Sequence, residues 1–293
     1  MLIAAVAFAP HDAGAAAQSE RDPHAAAGQI LDVRAHRLID EATLVARIAS
    51  VRYRLLGEIH DNPAHHRLRA ALIADIARSG RRPAVVLEQL ELARDANLGE
   101  AQRRGADADA LADAGGLDKR AWRWPLHAPV IDAARAAGLP LHGGGLPVSA
   151  LRTEARDESP ANAAWRSRLA AARWGEREDV ALRNEIAASH CGQIGTALVP
   201  RMAQAQRWRD AAMAEAVVRA ATADGTILIA GDGHVRRDLG VPRYLPLGET
   251  VSVGFVEAPD ASADDDAVFD YVWYTEAAPR EDPCAAFTRP RTR

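Results

Sequence analysis

Cysteine is nearly absent. Cys191 and Cys284 are the only two thiols in 293 residues. Two thiols cannot close a structural zinc site by themselves, and they do not make a disulfide-dense scaffold. Lysine is scarcer still, since Lys119 is the single lysine among 36 basic residues, and the formal net charge is −4. Nothing electrostatic therefore points to nucleic acid as a partner. The many arginines and alanines read as coding bias, not as a binding surface. No window reaches the roughly 18 consecutive apolar residues of a transmembrane helix. Hydrophobic residues make up 48% of the chain and charged residues 26%, the balance of a globular protein, which excludes a disordered or collagen-like chain.

The ends differ from the middle. Residues 1–35 open with a short apolar run, Leu2 to Ala9, followed by small residues. This reads as the apolar part and cleavage zone of a secretory leader that lacks its basic start, or as a flexible N-terminus. Export to the periplasm is the expectation, with a cytoplasmic chain as the alternative. From Pro279 to Arg293 the tail is rich in proline and arginine and is expected to be extended. Cys191 and Cys284 either pair in an oxidising compartment or are unrelated thiols.

Between them, residues 36–278 read as one α/β domain. Four short apolar runs bounded by glycine, proline or charge predict buried strands: Arg54–Gly57, Ala84–Glu88, Leu139–His142 and Thr226–Ala230. Asn62 is a good N-cap, Pro63 suits the first helical position, and Leu68, Leu72, Ile73 and Ile76 recur at helical spacing until Gly80. Pro129 to Ala137 predicts another helix. Strand and helix in alternation predict a mostly parallel sheet flanked by helices. Residues from about 151 to 222 break the rhythm and predict a helical insertion of three helices. Val251–Val256 and Asp270–Tyr274 then predict closing strands.

In such sheets, ligands bind at the carboxyl ends of the strands. The first strand runs into Gly57-Glu58-Ile59-His60, the second ends in Glu88, and the fourth runs into Gly231-Asp232-Gly233-His234. Glycine would let the backbone turn sharply, so that each histidine faces the sheet edge. Glu58, His60, Glu88 and His234 together could hold a divalent metal such as Zn or Mn, or perform acid–base chemistry. Satisfied loop histidines are the bland alternative. On the helix from Pro200, Met202, Gln206, Arg209, Met213 and Val217 share one face. Arg209 either pairs with a site carboxylate or reaches solvent; Met213 is either core or a contact for a flat apolar ligand. His66 is close enough to line the cleft. His127 reads as a surface residue, and the triple glycine after His142 as a loop.

Taken together, LLGEIHDNPAHHR, VVLEQ, MAQAQRWRDAAMA and ILIAGDGHVRRDLGVPRYL resemble the ChaN-like haem-binding family, which is grouped with the Tiki metalloproteases and the erythromycin-esterase-like hydrolases. The resemblance runs from about Arg54 to Cys284. It implies an exported α/β protein that binds haem for iron uptake or trafficking, as a homodimer with two haems face to face. It also implies iron ligation by tyrosine, with histidine at the propionates. Tyr244 in GVPRYL is the first candidate, ahead of Tyr53, Tyr271 and Tyr274. Gly145-Leu146-Pro147 stands where the family more often has Asn-Leu-Pro. The alternative function is a metal- or histidine-dependent hydrolase using Glu58, His60, Glu88, His234 and Arg209.

Overall fold

The computed structural model describes residues 26–147, 151, 160–258, 266–281 and 284. Its strands are β1 (Ile30–Asp32), β2 (Arg37–Ile39), β3 (Tyr53–Leu56), β4 (Ala84–Glu91), β5 (Leu141–Gly145), β6 (Thr226–Ile229), β7 (Thr250–Ala258) and β8 (Tyr271–Glu276). Among the described residues they form one sheet in the order β2-β1-β8-β7-β3-β6-β4-β5. Six of them, from β8 to β5, run parallel, while β1 and β2 add an antiparallel hairpin at one edge. This is the mostly parallel α/β sheet that the alternation of strand and helix predicts.

Apolar runs form these strands because both faces are covered. Leu56, Val85, Leu87, Ile227 and Ile229 face α1 (Glu41–Ile48), α2 (Pro63–Arg78), α3 (Asp95–Arg103), α4 (Ala108–Ala114) and α5 (Ala128–Ala136). Their neighbours Leu55, Val86 and Leu228 face the other way, towards the helices of the insertion. Those are α6 (Pro160–Ala171), α7 (Glu176–Ser189) and α8 (Val199–Ala220); the short α9 (Asp232–Val235) follows β6. The Asn62 side chain accepts from the Ala64 amide and Pro63 occupies the first turn of α2, as expected of a capped N-terminus.

Two expectations need correction, and a third gains a detail. Ile30–Asp32 lie inside the stretch 1–35 read as leader or flexible, yet they pair with β8, and Ile30 is buried opposite Trp273. Residues 1–25, including the apolar run Leu2–Ala9, lie outside the described residues. The triple glycine is strand, not loop. A Cβ on Gly143 would fall 2.3 Å from the Glu91 carbonyl oxygen, and one on Gly145 2.2 Å from that of Glu88. The same contact excludes an asparagine at 145 on this backbone. Finally, the tail is anchored: Arg280 bonds Glu257 and lies 2.9 Å from Asp61, and Cys284 is disulfide-bonded to Cys191 with a Cα–Cα distance of 5.7 Å. The remaining tail residues lie outside the described ones. No described helix is long and apolar enough to cross a membrane.

Candidate functional site

The carboxyl ends of β3, β4 and β6 lie side by side, and each delivers polar side chains to one edge. β3 leads into Glu58 and His60. β4 shifts register against β5 between Leu87 and Glu91; a bulge of this kind re-aims side chains, here Glu88 and Gln89. β6 leads into Gly231 and the first turn of α9, which carries His234. α2 contributes His66 and Arg69 from below; α8 contributes Gln206, Arg209 and Asp210 from the insertion.

Glu58 is the hub of one half. Its Oε1 accepts from His60 Nδ1 at 2.6 Å and from Gln89 Nε2 at 2.8 Å, while its Oε2 accepts from Arg69 Nη2. Glu58 and Arg69 are buried, whereas the His60 side chain keeps 47% of its surface exposed. Because Nδ1 faces a carboxylate it carries the proton, which leaves Nε2 with an unprotonated lone pair. Trp122 meets this imidazole edge-on at 4.9 Å between ring centres.

His234 is the hub of the other half. Its Nδ1 lies 2.5 Å from Asp210 Oδ1 and its Nε2 3.2 Å from Glu88 Oε1. Burial lowers its pKa, but Glu88 and Asp210 outweigh that and raise it to about 9. Glu88 also bonds Arg209 Nη2 and accepts from the Gly231 amide at 2.8 Å. Against its own burial, the charges of His234 and Arg209 hold Glu88 well below the usual carboxylate range. Gln206 Nε2 stands 3.1 Å from His234 Nδ1. Arg209 remains 24% exposed, so its guanidinium joins the carboxylate to the mouth.

The two halves meet over Gly231. A Cβ there would lie 2.9 Å from His60 Nε2 and 3.8 Å from Glu88 Oε2. At Gly57 a Cβ would fall 1.9 Å from Asp232 Oδ1. Neither glycine has a positive φ. The glycines in the two Gly-x-x-His stretches therefore serve close approach, where the sequence had suggested sharp turns. Burial beside the site also pushes the Asp232 carboxyl up to about 7.

Glu58, His60, Glu88, His234, Gln206 and Arg209 are thus brought together, and three other candidates are not presented to the mouth. Met213 is buried in the core against β5. Tyr244 is buried with its ring stacked on Trp174 at 6.2 Å. His66 is buried, its Nε2 donating to the His60 carbonyl at 3.0 Å, and burial lowers its pKa to about 4. The other three tyrosines also lie away from the mouth. Tyr53 starts β3 at the opposite end of the sheet, Tyr271 stands two strands away from β3 beside Val253, and the Tyr274 hydroxyl bonds Asp266.

The expected metal set of Glu58, His60, Glu88 and His234 is met by protein groups in this structure. Both ring nitrogens of His234 are engaged by carboxylates, and Glu58 is already met by Arg69, Gln89 and His60. Among the described residues, the donors that lie within 4.8 Å of one another belong to Glu58, His66 and His127. Arg69 fills that cluster, bonding Glu58 and lying 2.8 Å from His66 Nδ1. His127, read from sequence as a surface residue, is buried with its ring 4.4 Å from that of His66, and neither of its nitrogens has a hydrogen-bond partner among the described residues.

Sequence reasoning missed Arg69, Gln89, Asp210 and Trp122. The signal for two of them was present. Arg69 stands on the buried stripe of α2 four residues after His65, and Asp210 stands four residues after Gln206 on α8. A cavity of about 100 Å³ opens at the mouth, lined by Glu88, Gln89, Trp122, Leu146, Pro147 and Arg209 among others. A larger one of about 670 Å³ lies at the start of β5, beside Arg103 and Arg135, remote from this constellation.

A family model described as haem-binding uptake, Tiki superfamily, ChaN matches residues 44–245. Among solved structures, the chain is similar to ChaN of Campylobacter jejuni, described with cofacial haem binding. The identity is 19%, the TM-score 0.68, and the match covers 83% of this chain and 95% of that one; at that identity the likeness speaks for the fold. Weaker likenesses reach the type III effector HopBA1, at 15% identity and TM-score 0.44 over 80% of this chain and 93% of that one. They also reach an erythromycin esterase variant of EreC in its open conformation, at 14% and 0.40 over 79% and 76%. No curated protein matches the chain.

Proposed function

The chain belongs to the haem-binding uptake family of the Tiki superfamily that includes ChaN, and from that premise we propose that it binds haem at the carboxyl edge of its sheet. One observation carries the reading: His60 offers an exposed imidazole whose Nδ1 is held by a buried carboxylate. Metal-ligating histidines are oriented in this way.

The residues at the mouth fit such a group. Haem needs an axial ligand, apolar surface and a cation for its propionates. His60 would take the iron through Nε2, Arg209 would take a propionate, and Trp122 with Leu146 and Pro147 would supply apolar contact. When bound, haem supplies an iron centre whose ligation is read in its visible spectrum. No tyrosine faces the mouth, so histidine replaces the tyrosine that the resemblance implied.

A cavity of about 100 Å³ is smaller than the roughly 300–1,000 Å³ of sites that engulf a ligand. The macrocycle would therefore lie across the mouth with its outer face uncovered. A second copy presenting a second haem would cover that face, which supports a homodimer; cofacial haem binding is described for the Campylobacter jejuni protein. Haem uptake or trafficking in the cell envelope completes the proposal. The Cys191–Cys284 disulfide supports an oxidising compartment, and the apolar run near the N-terminus supports export.

The test is a haemin titration with chain mass measured before and after loading. A Soret band that saturates, shifts in His60→Ala and weakens in Arg209→Ala, with a doubling of mass on loading, is the expected result. An unaltered spectrum and affinity in both variants would place the haem elsewhere or remove it from the proposal.

A further inference from the structure

We propose that Arg69 is a positioning residue that fixes which nitrogen His60 presents to the ligand. This deepens the haem reading and rests on it for the identity of the ligand, but not for the geometry.

Arg69 is entirely buried on α2, where a cation is tolerated only when paired. Its Nη2 bonds Glu58 Oε2 and also lies 2.8 Å from His66 Nδ1. Its Nε donates to the His65 carbonyl at 3.3 Å. His66 donates through Nε2 to the His60 carbonyl at 3.0 Å, so His66 Nδ1 is a bare acceptor. That acceptor stands 3.2 Å from Glu58 Oε2. Two acceptors at this separation repel, and the Arg69 amino group between them is what makes the arrangement stable.

Without that group, Oε2 is left buried against an acceptor. The carboxylate then turns, and Oε1 leaves the position in which it accepts from His60 Nδ1 at 2.6 Å. Gln89, which donates to Oε1 at 2.8 Å, cannot restore Oε2. Once released from Glu58, the imidazole returns to the Nε2-protonated tautomer that neutral histidine favours in water. The ring then offers a proton to the mouth where it had offered a lone pair. Arg69 thus acts on the ligand through two intervening side chains and touches none of it.

The tautomer can be read without any ligand. In the full chain carrying ¹⁵N-labelled histidine, long-range ¹⁵N–¹H spectra are expected to show neutral His60 protonated at Nδ1. Arg69→Met is expected to move the proton to Nε2 and to weaken haemin binding about tenfold, the scale of losses when a ligand's supporting shell is removed. Arg69→Lys, which returns a buried donor and charge, is expected to restore the Nδ1 tautomer and most of the affinity. A wild-type His60 protonated at Nε2 overturns the proposal without any variant, so a failure of Arg69→Met to fold leaves it open to refutation. An unchanged tautomer in folded Arg69→Met overturns it too. An Nδ1 tautomer that depends on Arg69 in a protein that binds no haemin supports the positioning role and refutes the haem reading alone.

Discussion

The two Gly-x-x-His stretches look alike in sequence and do opposite things in space. At His60, one carboxylate is shared with a buried guanidinium, and the ring stays 47% exposed. At His234, two carboxylates grip both nitrogens, and the ring is 6% exposed. The first environment presents an imidazole. The second consumes one, using it as a buried cation that holds Glu88 and Asp210 together and so sets Arg209. The same residue at the same spacing is therefore a contact in one place and a brace in the other, and the partners decide which.

The largest way to break this comparison is to delete each imidazole. His234→Ala leaves Asp210 buried without its cation and Glu88 with Arg209 alone, and breaking a buried pair costs about 3–5 kcal/mol. His60→Ala removes a half-exposed ring that is one of three donors to Glu58, and the loss of one hydrogen bond to a charged group costs about 1.5–3 kcal/mol. Urea denaturation of the two variants measures the difference; equal losses would erase the distinction.

The next effect is in pH. His65 is buried neutral, accepting from the Ile59 amide, and its pKa is lowered to about 4 by burial. An unfolded His65 binds its proton near pH 6.5, so stability falls as pH drops from there towards 4. His234 is shifted the other way, to about 9. Its contribution is complete below pH 6.5 and lost as pH rises through 9. At about 1.4 kcal/mol per pKa unit, each of these two histidines contributes at most about 3.5 kcal/mol. Thermal midpoints measured from pH 4 to 10 are expected to trace a dome whose alkaline arm flattens in His234→Gln. A dome unchanged in that variant would contradict the assignment.

Smaller effects separate the glycines. Gly57→Ala drives a Cβ into Asp232 and to 2.8 Å from Val235 Cγ2, an overpacking that costs about 1–3 kcal/mol. Gly231→Ala meets only the movable His60 ring at close range. It is expected to leave the melting midpoint nearly unchanged while weakening haemin binding. Smallest of all, His127→Leu removes two buried nitrogens that have no partners among the described residues. It is expected to be neutral or to stabilise by about 1 kcal/mol, and a marked loss in calorimetry would overturn that expectation.

Much of this was legible beforehand, for identifiable reasons. Parallel strands buried on both faces must be continuously apolar, so β3, β4 and β6 announced themselves, and their exits had to share one edge. That placed Glu58, His60, Glu88 and His234 correctly. Arg209 and Gln206 followed from one stripe of α8. The edge hairpin was not legible, because β1 and β2 have three residues each and Arg37 and Leu38 are exposed. Arg69 and Asp210 were passed over, because neither belongs to the stripes Leu68-Leu72-Ile73-Ile76 and Met202-Gln206-Arg209-Met213-Val217 that the periodicity picks out. His127 reads as a surface residue because nothing in its neighbourhood along the chain shows that its ring packs inward against His66 and Trp122. Tyr244 misled because nearness to His234 along the chain says nothing about which side of the backbone a ring takes.

The covalent link between Cys191 and Cys284 encloses α8, β6, α9, β7 and β8 in one closed loop 93 residues long. The helix that carries Arg209 and the turn that carries His234 are both inside it; His60 and Arg69 are outside. A peptide bond cut at any point within that loop leaves the molecule in one piece until a reductant is added. The half of the mouth that holds Glu88's cations thus survives nicking that would detach an unlinked C-terminal segment.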